Sequence, residues 1–400
     1  MNIVILANFP ILLDGSLQGR FINLASLFHD RGHHVEVIVS DFDHYTKKNR
    51  QSLGNKYPFK LTYLHETGYP NNVHPKRLWS HYVWGKNVYR YIKTLKAKPD
   101  VVYAALPTFT AGKLVGQWCN KNGVKFVIDV QDLWPEAFRV AIKNPFLQLA
   151  FKPMDWIADS AYKAADGIIG VSDTYCNRAM NVNSKVAQSL TIYLGNNGGV
   201  FENARSAHKV QKSPNEFWVA YIGTMGYSYD LKCAIDAFCK IKSNSMERKI
   251  KFIAIGAGPL LDEYKKYARK KGINAEFTGA LPYDKMVGLM CSCDAVINCL
   301  RPGAAQSITN KVGDYALSGL PVINTQENPE YRTIVEDWQC GINCECGNSD
   351  QVADAIAKLA QDEKLRKSLG VNAARLGREM FDRRYTYPKI IEAVEAICKK

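Results

Sequence analysis

The 400-residue sequence contains no run of about eighteen apolar residues, which excludes a helix that crosses a membrane. Its opening, MNIVILANFPILL, has neither a basic segment nor a small-residue cleavage site, so it reads as a buried first strand rather than a signal peptide. No cysteine spacing fits a common zinc pattern. The eleven cysteines are scattered, with two Cys-x-Cys pairs (Cys291/Cys293 and Cys344/Cys346), and an odd total argues against a closed disulfide framework. Reduced thiols in a cytosol are the simplest reading. A dinucleotide-binding GxGxxG is also missing. Gly15 and Gly19 stand four apart, and Asp41 only approaches the ribose-binding position after the second strand, so nicotinamide redox chemistry is weakly supported.

Hydrophobic residues make up 46% and charged residues 22%, a globular composition, and the length calls for two to three domains. The net charge of +14 is unevenly distributed, residues 1–200 holding 23 Lys and Arg against 14 Asp and Glu. Between Glu66 and Asp100 seven basic residues occur with no acidic one, interleaved with Trp79, Tyr82, Trp84 and Tyr89. A basic aromatic helix of this kind suits an anionic membrane surface; the plainer alternative is a half-buried helix with a solvated basic face. No nucleic-acid motif accompanies the charge, and no nucleic-acid partner is expected.

Strand and helix alternate from the start, implying parallel sheets. Strands are expected at 3–7, 35–39, 99–104, 124–129, 167–171 and 190–194, with a helix at 21–29 and another at 110–119. The 124–129 strand ends in VQDLWPE, where parallel sheets bind ligands. Asp132 there suits a base or an orienting group for a hydroxyl, or else a turn cap. Asp41-Phe42-Asp43 has the form of a metal-binding Asp-x-Asp but sits where that role is not expected. Residues 195–214, rich in Asn, Gly, Ser and Lys, read as a linker. The alternation then restarts at 218–222, followed by the glycine loop 223–228 and a helix with Lys232 in its first turn, an arrangement that binds phosphate.

Residues 303–325, GAAQSITNKVGDYALSGLPVINT, read as polar loop, short helix, glycine stop and buried strand. A helix start carries unpaired N–H groups and partial positive charge, Lys311 adds a full charge, and Asp314 one turn on accepts hydrogen bonds from hydroxyls. That combination suits a sugar nucleotide; an ordinary capped helix is the alternative.

In order along the chain, YIGTMGYSYDLK, FIAIGAGPLLDEY, AEFTGALPYDKM, DAVINCLRP and ITNKVGDYALSGLPVI resemble the nucleotide-sugar domain of GT-B glycosyltransferases, specifically retaining family 4. LLDGSLQGRFINLASLFHDRGHHVEVI and VIDVQDLWPEAF resemble the acceptor domain of members that build bacterial surface polysaccharides. The resemblance implies an α/β GT-B fold, two Rossmann-like domains with parallel sheets facing a cleft. Residues 1–200 would bind the acceptor, residues 215–385 the nucleotide sugar, and the helix 386–400 would pack back on the first domain. It further implies transfer from a nucleotide-diphosphate sugar, UDP ahead of GDP, to a hydroxyl of a lipid-linked oligosaccharide. No cofactor or metal would be needed, and the protein would be cytoplasmic or peripheral on the inner membrane face.

The residues so implied are Asp132, Lys232 and Lys311 for catalysis. Gly223, Thr224, Gly256, Gly258, Leu281, Arg301, Gln306, Ser307, Asn310 and Asp314 would hold the donor, and Gly19, Arg20, Trp134 and Glu136 the acceptor. Two departures stand out: Gln306 replaces the family's first glutamate, and Thr224 or Met225 replaces its arginine. A nucleotide-sugar 2-epimerase, an inverting transferase and a membrane-bound binding protein are the alternatives.

Overall fold

A computed structural model of the chain describes residues 1–9, 19–44, 46–50, 57–71, 74–141, 148–241, 248–304 and 308–399. It forms two compact units, one of Met1–Tyr193 with Tyr387–Lys400, the other of Leu194–Thr386.

The first unit holds a seven-stranded sheet, β1 (Asn2–Ala7), β2 (His34–Ser40), β3 (Lys60–Leu64), β4 (Val101–Leu106), β5 (Lys125–Val130), β6 (Gly167–Gly170) and β7 (Leu190–Thr191). The spatial order is β3-β2-β1-β4-β5-β6-β7, with every pairing parallel. Strands buried on both faces read as near-continuous apolar runs, as VVYAAL of β4 does, because helices cover each side. The helices Lys76–Ile92, Phe109–Asn122 and Lys152–Ala164 carry one apolar cluster with Trp84, Val115 and Tyr162. On the opposite cluster the helix Arg20–Asp30 is joined by Tyr387, Ile390, Ile391 and Val394 of the last helix, Arg383–Lys399. Glu395 on that helix accepts from Arg31 (3.2 Å) and meets His33 (2.9 Å).

The second unit holds a six-stranded parallel sheet, β8 (Glu216–Ile222), β9 (Lys249–Ile255), β10 (Ala275–Gly279), β11 (Ala295–Asn298), β12 (Val322–Asn324) and β13 (Gly341–Asn343), in the order β10-β9-β8-β11-β12-β13. In both sheets the winding reverses beside the first strand, between β1 and β4 and between β8 and β11. Loops at the carboxyl ends of strands flanking such a reversal diverge and leave a crevice, which is where doubly wound sheets take ligands.

The stretch read as a linker contains a helix, Gly198–Ala207. Asn197 caps it by accepting from the amides of Gly199 and Val200, while Phe201 and Ala204 are buried. Polar composition concealed it, because a helix of this length needs only one short apolar stripe once a cap and a neighbour are provided. The neighbour is the helix Tyr283–Met290, whose Gly288 comes so close to His208 that a Cβ there would lie 2.2 Å from the His208 carbonyl oxygen.

Candidate functional site

In the second unit the carboxyl ends of β8, β9 and β10 are bound to one another. The amides of Gly223, Met225 and Gly256 donate to the carbonyls of Ile255 (3.0 Å), Ala257 (2.9 Å) and Gly279 (2.9 Å), and the Tyr221 hydroxyl donates to the Thr224 carbonyl (2.8 Å). Gly256 has φ of 142°, and a Cβ there would stand 2.0 Å from the Gly223 carbonyl oxygen; one on Gly258 would stand 2.5 Å from that of Met225. Only glycine lets these two loops interlock. The Gly223 amide, read from the sequence as a phosphate donor, is therefore engaged by Ile255, whereas the Thr224 amide has no acceptor among the described residues.

Lys311 opens the helix Lys311–Ser318, which ends at Gly319 in the left-handed conformation (φ 67°). The helix start has no side-chain cap from Asn310, contrary to the capped start expected of this polar segment. Tyr315 anchors the helix between the strand ends: its hydroxyl accepts from the Ile222 amide (3.1 Å) and donates to the Ile297 carbonyl (3.0 Å). The Lys311 stem runs beside Gly223, with Cδ 3.7 Å from where a Cβ would lie. Its ammonium sits 4.0 Å from the Tyr229 ring centroid and 4.2 Å from that of Tyr221. The residue is 7% exposed, and Nζ has no hydrogen-bond partner among the described residues. Burial pushes its pKa down to about 7, opposed only by the Cys299 thiol. A buried cation facing ring electrons without an acceptor is an anion site awaiting its anion.

Asp314, one turn on, accepts at Oδ1 from Asn196 Nδ2 (2.7 Å) and the Tyr283 hydroxyl (2.8 Å). Burial raises its pKa to about 6 against those donors and Arg383. Lys232 differs from Lys311, for its ammonium is 2.5 Å from Glu263, which raises its pKa and neutralises its charge. Arg301 lies close enough to act electrostatically on Lys232, Glu263 and Tyr264. Leu281 follows β10 in the loop at the same sheet edge, and Asn310 is exposed at the helix start. Gln306 and Ser307 lie outside the described residues.

In the first unit Asp132 and Trp134 share the turn after β5. The Asp132 carboxylate accepts from the Leu133 amide (2.9 Å) and Trp134 Nε1 (3.0 Å), while burial raises its pKa. The Trp134 ring lies under the Arg77 guanidinium (4.3 Å) and stacks on His81 (5.3 Å, 10°). His44 donates to or accepts from the Tyr69 hydroxyl (2.6 Å), and burial lowers the pKa of His44 to about 4 and of His81 to about 3. The Glu66 carboxylate accepts from Asn8 and Ser80, both at 2.8 Å, and burial raises its pKa.

Arg20, read as an acceptor residue, is instead 4% exposed. Its guanidinium donates to Asp129 (2.7 Å) and the Ile192 carbonyl (3.1 Å) and covers the Tyr387 ring (5.0 Å). All its reach goes to holding the unit together. Gly19 caps the same helix through backbone geometry alone, and Glu136 pairs with Arg178, which also holds Asp159 (2.7 Å). The Asp-x-Asp carboxylates pin their own loop, Asp41 accepting from the Glu66 amide (2.8 Å) and Asp43 pairing with Arg50 (2.7 Å).

Sequence reasoning missed Arg77, His81, His44, Tyr69 and Glu66 in this unit and Tyr221 and Tyr229 in the other. One signal was readable: Ser80, His81, Trp84 and Val88 follow helical spacing, so polar groups stood on an apolar face. Two cavities of about 450 and 540 Å³ open at the amino ends of β1–β3 and of β9, away from the ligand edges.

The model described as Glycosyltransferase Family 4 matches residues 20–187, and that described as Glycosyl transferases group 1 matches residues 203–376. The chain belongs to the GT-B glycosyltransferases. An uncharacterized glycosyltransferase of Methanocaldococcus jannaschii is 22% identical over 238 residues, a match that spans 58% of this chain and 59% of that relative. HepE of Anabaena, solved with UDP, is similar over 99% of this chain and 100% of its own at 16% identity, with a TM-score of 0.70; it has also been solved with UDP-glucose. WaaG, a glycosyltransferase involved in lipopolysaccharide biosynthesis, is similar over 98% of this chain and 99% of its own at 16% identity, with a TM-score of 0.63.

Proposed function

We propose that this GT-B protein transfers a sugar from a nucleotide-diphosphate sugar, UDP-linked ahead of GDP-linked, to a hydroxyl of a lipid-linked oligosaccharide in surface-polysaccharide synthesis. The observation that carries the reading is the Lys311 ammonium, buried on two tyrosine faces without an acceptor beside the 223–225 loop. A donor diphosphate supplies the missing anion. As the bond from the anomeric carbon to the diphosphate breaks, negative charge builds on the leaving oxygen. Lys311 and the Thr224 amide stabilise it, with Lys232 a weaker contributor because Glu263 offsets its charge. Fixed donors of this kind make the transfer metal-independent. Asp314 holds the donor ribose, and Asp132 orients the acceptor hydroxyl, which attacks from the leaving-group face so that configuration is retained. UDP as the donor nucleotide is supported by HepE, which binds it, and the surface-polysaccharide setting by WaaG. No helix among the described residues is long and apolar enough to cross a membrane. In this reading the basic aromatic helix Lys76–Ile92 rests on the anionic cytoplasmic face of the membrane, and the protein is peripheral there.

The test is a thermal-shift panel of UDP, GDP, ADP and CMP with and without magnesium. A ligand bound only by the folded state stabilises it by about 2.7 kcal/mol at a hundredfold excess over its dissociation constant. UDP is expected to raise the melting temperature equally in magnesium and in EDTA. No shift with any nucleotide refutes the reading, and NMR of the product anomer checks retention.

A further inference from the structure

The helices Lys76–Ile92, Phe109–Asn122 and Lys152–Ala164 leave between them a cavity of about 160 Å³ at the carboxyl edge of the first sheet. Leu78, Tyr82, Phe109, Trp134, Met154 and Ile157 line it, an almost wholly apolar wall. Thr110 and His81 are its polar members, and the His81 Nε2 is buried with no hydrogen-bond partner among the described residues. An apolar cavity of about 150 Å³ holds a benzene-sized hydrocarbon, so this one takes a short segment of chain and no more.

The apolar surface continues outside the mouth. Leu78, Trp79 and Tyr82 on one helix and Trp156 on another are four of the nine large apolar side chains exposed among the described residues, Trp79 at 59% and Trp156 at 66%. Trp79 stacks on Tyr82 (5.4 Å), and the Lys113 ammonium lies over Trp156 (3.4 Å). Exposed apolar side chains at the mouth of an apolar cavity, with cations beside them, mark a surface that receives an amphiphile with an anionic head. The inner wall points the same way, since Trp134 lines the cavity, stacks on His81 and lies under the Arg77 guanidinium.

We infer that this cavity seats the hydrocarbon chain of the lipid-linked acceptor, its phosphate meeting His81 Nε2 and Arg77 while the remaining chain runs over Tyr82 and Trp79. The inference rests on the transferase reading and adds to it a place for the lipid. The chain nearest the head group fills the cavity, and the sugar end is delivered at the sheet edge where Asp132 stands.

The test is titration calorimetry with butyl, hexyl, octyl and decyl phosphate below their micelle concentrations, inorganic phosphate, and phosphatidylglycerol vesicles, with UDP titrated in parallel. Each methylene that enters an apolar wall strengthens binding about fourfold. Hexyl phosphate is expected to bind at least tenfold more tightly than butyl phosphate and far more tightly than inorganic phosphate, with smaller gains to octyl and decyl phosphate once the cavity is full. Met154→Asp in the wall, and Leu78→Asp at the exposed mouth in case the first variant misfolds, each weaken decyl phosphate at least tenfold while leaving UDP affinity unchanged. Affinity independent of chain length, equal binding by the variants, binding to vesicles alone, or masking of the patch by a concentration-dependent dimer in light scattering would each overturn the inference. Loss of UDP binding with chain-length dependence intact would instead sink the transferase reading and leave the lipid cavity standing.

Discussion

Lys311→Met should make the protein more stable and less able to bind, and the two effects can be read in one experiment. The side chain is enclosed, and burial moves its pKa from about 10.5 to about 7. A base whose folded-state pKa is depressed leaves the unfolded chain holding more protons between those values, so stability rises with pH across that window. Below pH 7 the cost is fully present, at most about 5 kcal/mol at about 1.36 kcal/mol per tenfold. The two ring faces return about 2 kcal/mol, which leaves a net penalty of about 3 kcal/mol at pH 6. Methionine has a similar length, fits the same channel and carries no charge. The variant should melt several degrees above the parent at pH 6, with the gap closing as the pH approaches 10. Its affinity for UDP should fall by about a hundredfold, because the diphosphate loses a desolvated cation. Differential scanning fluorimetry from pH 6 to 10, with and without UDP, reads both. A variant that is less stable than the parent at pH 6, or that binds UDP as tightly, refutes the assignment of Lys311 as an unanswered cation at an anion site.

Asp314→Asn tests the turn below it. The carboxyl titrates near 6 rather than near its ordinary value of about 4, so ionising it removes stability as pH rises from about 4 to 6. The variant should match the parent in urea melts at pH 4 and exceed it by up to about 3 kcal/mol at pH 7; equal midpoints at both values would contradict this. Gly256→Ala forces a Cβ to 2.0 Å from the Gly223 carbonyl oxygen at a φ that suits glycine. It should cost about 3 kcal/mol or more by circular dichroism melts and lower UDP affinity with it; a change below about 1 kcal/mol would show the loops can separate. Arg20→Met leaves Asp129 buried beside the Tyr103 hydroxyl without its cation and should cost about 3–5 kcal/mol in denaturant unfolding. UDP affinity should not change, since the pair lies wholly in the first unit; a selective loss of acceptor turnover without loss of stability would restore Arg20 to the site.

The chain's own order of residues determined a good deal. Apolar runs such as VVYAAL of β4 signalled parallel strands, because burial on both faces leaves no polar alternation to read. Gly223, Gly256 and Gly319 marked turns, and a short helix opening on Lys311 was legible because its cation, turn residues and glycine stop are contiguous in sequence. Which cation lacks a partner was not legible. Lys232 and Lys311 look alike along the chain, but Glu263 reaches one, and Tyr221 and Tyr229 enclose the other from more than eighty residues away. The same holds for Arg20, whose role depends on Asp129 and on a tyrosine, Tyr387, near the far end of the chain. The helix in the apparent linker, and the cavity walled by His81, Trp134 and Met154, also come from elements distant in sequence. Local pattern determines where strands, turns and caps fall, because those depend on neighbours a few residues apart. Only the tertiary structure decides whether a charge is buried, answered or left open, because that depends on which distant groups the packing brings within a few ångströms.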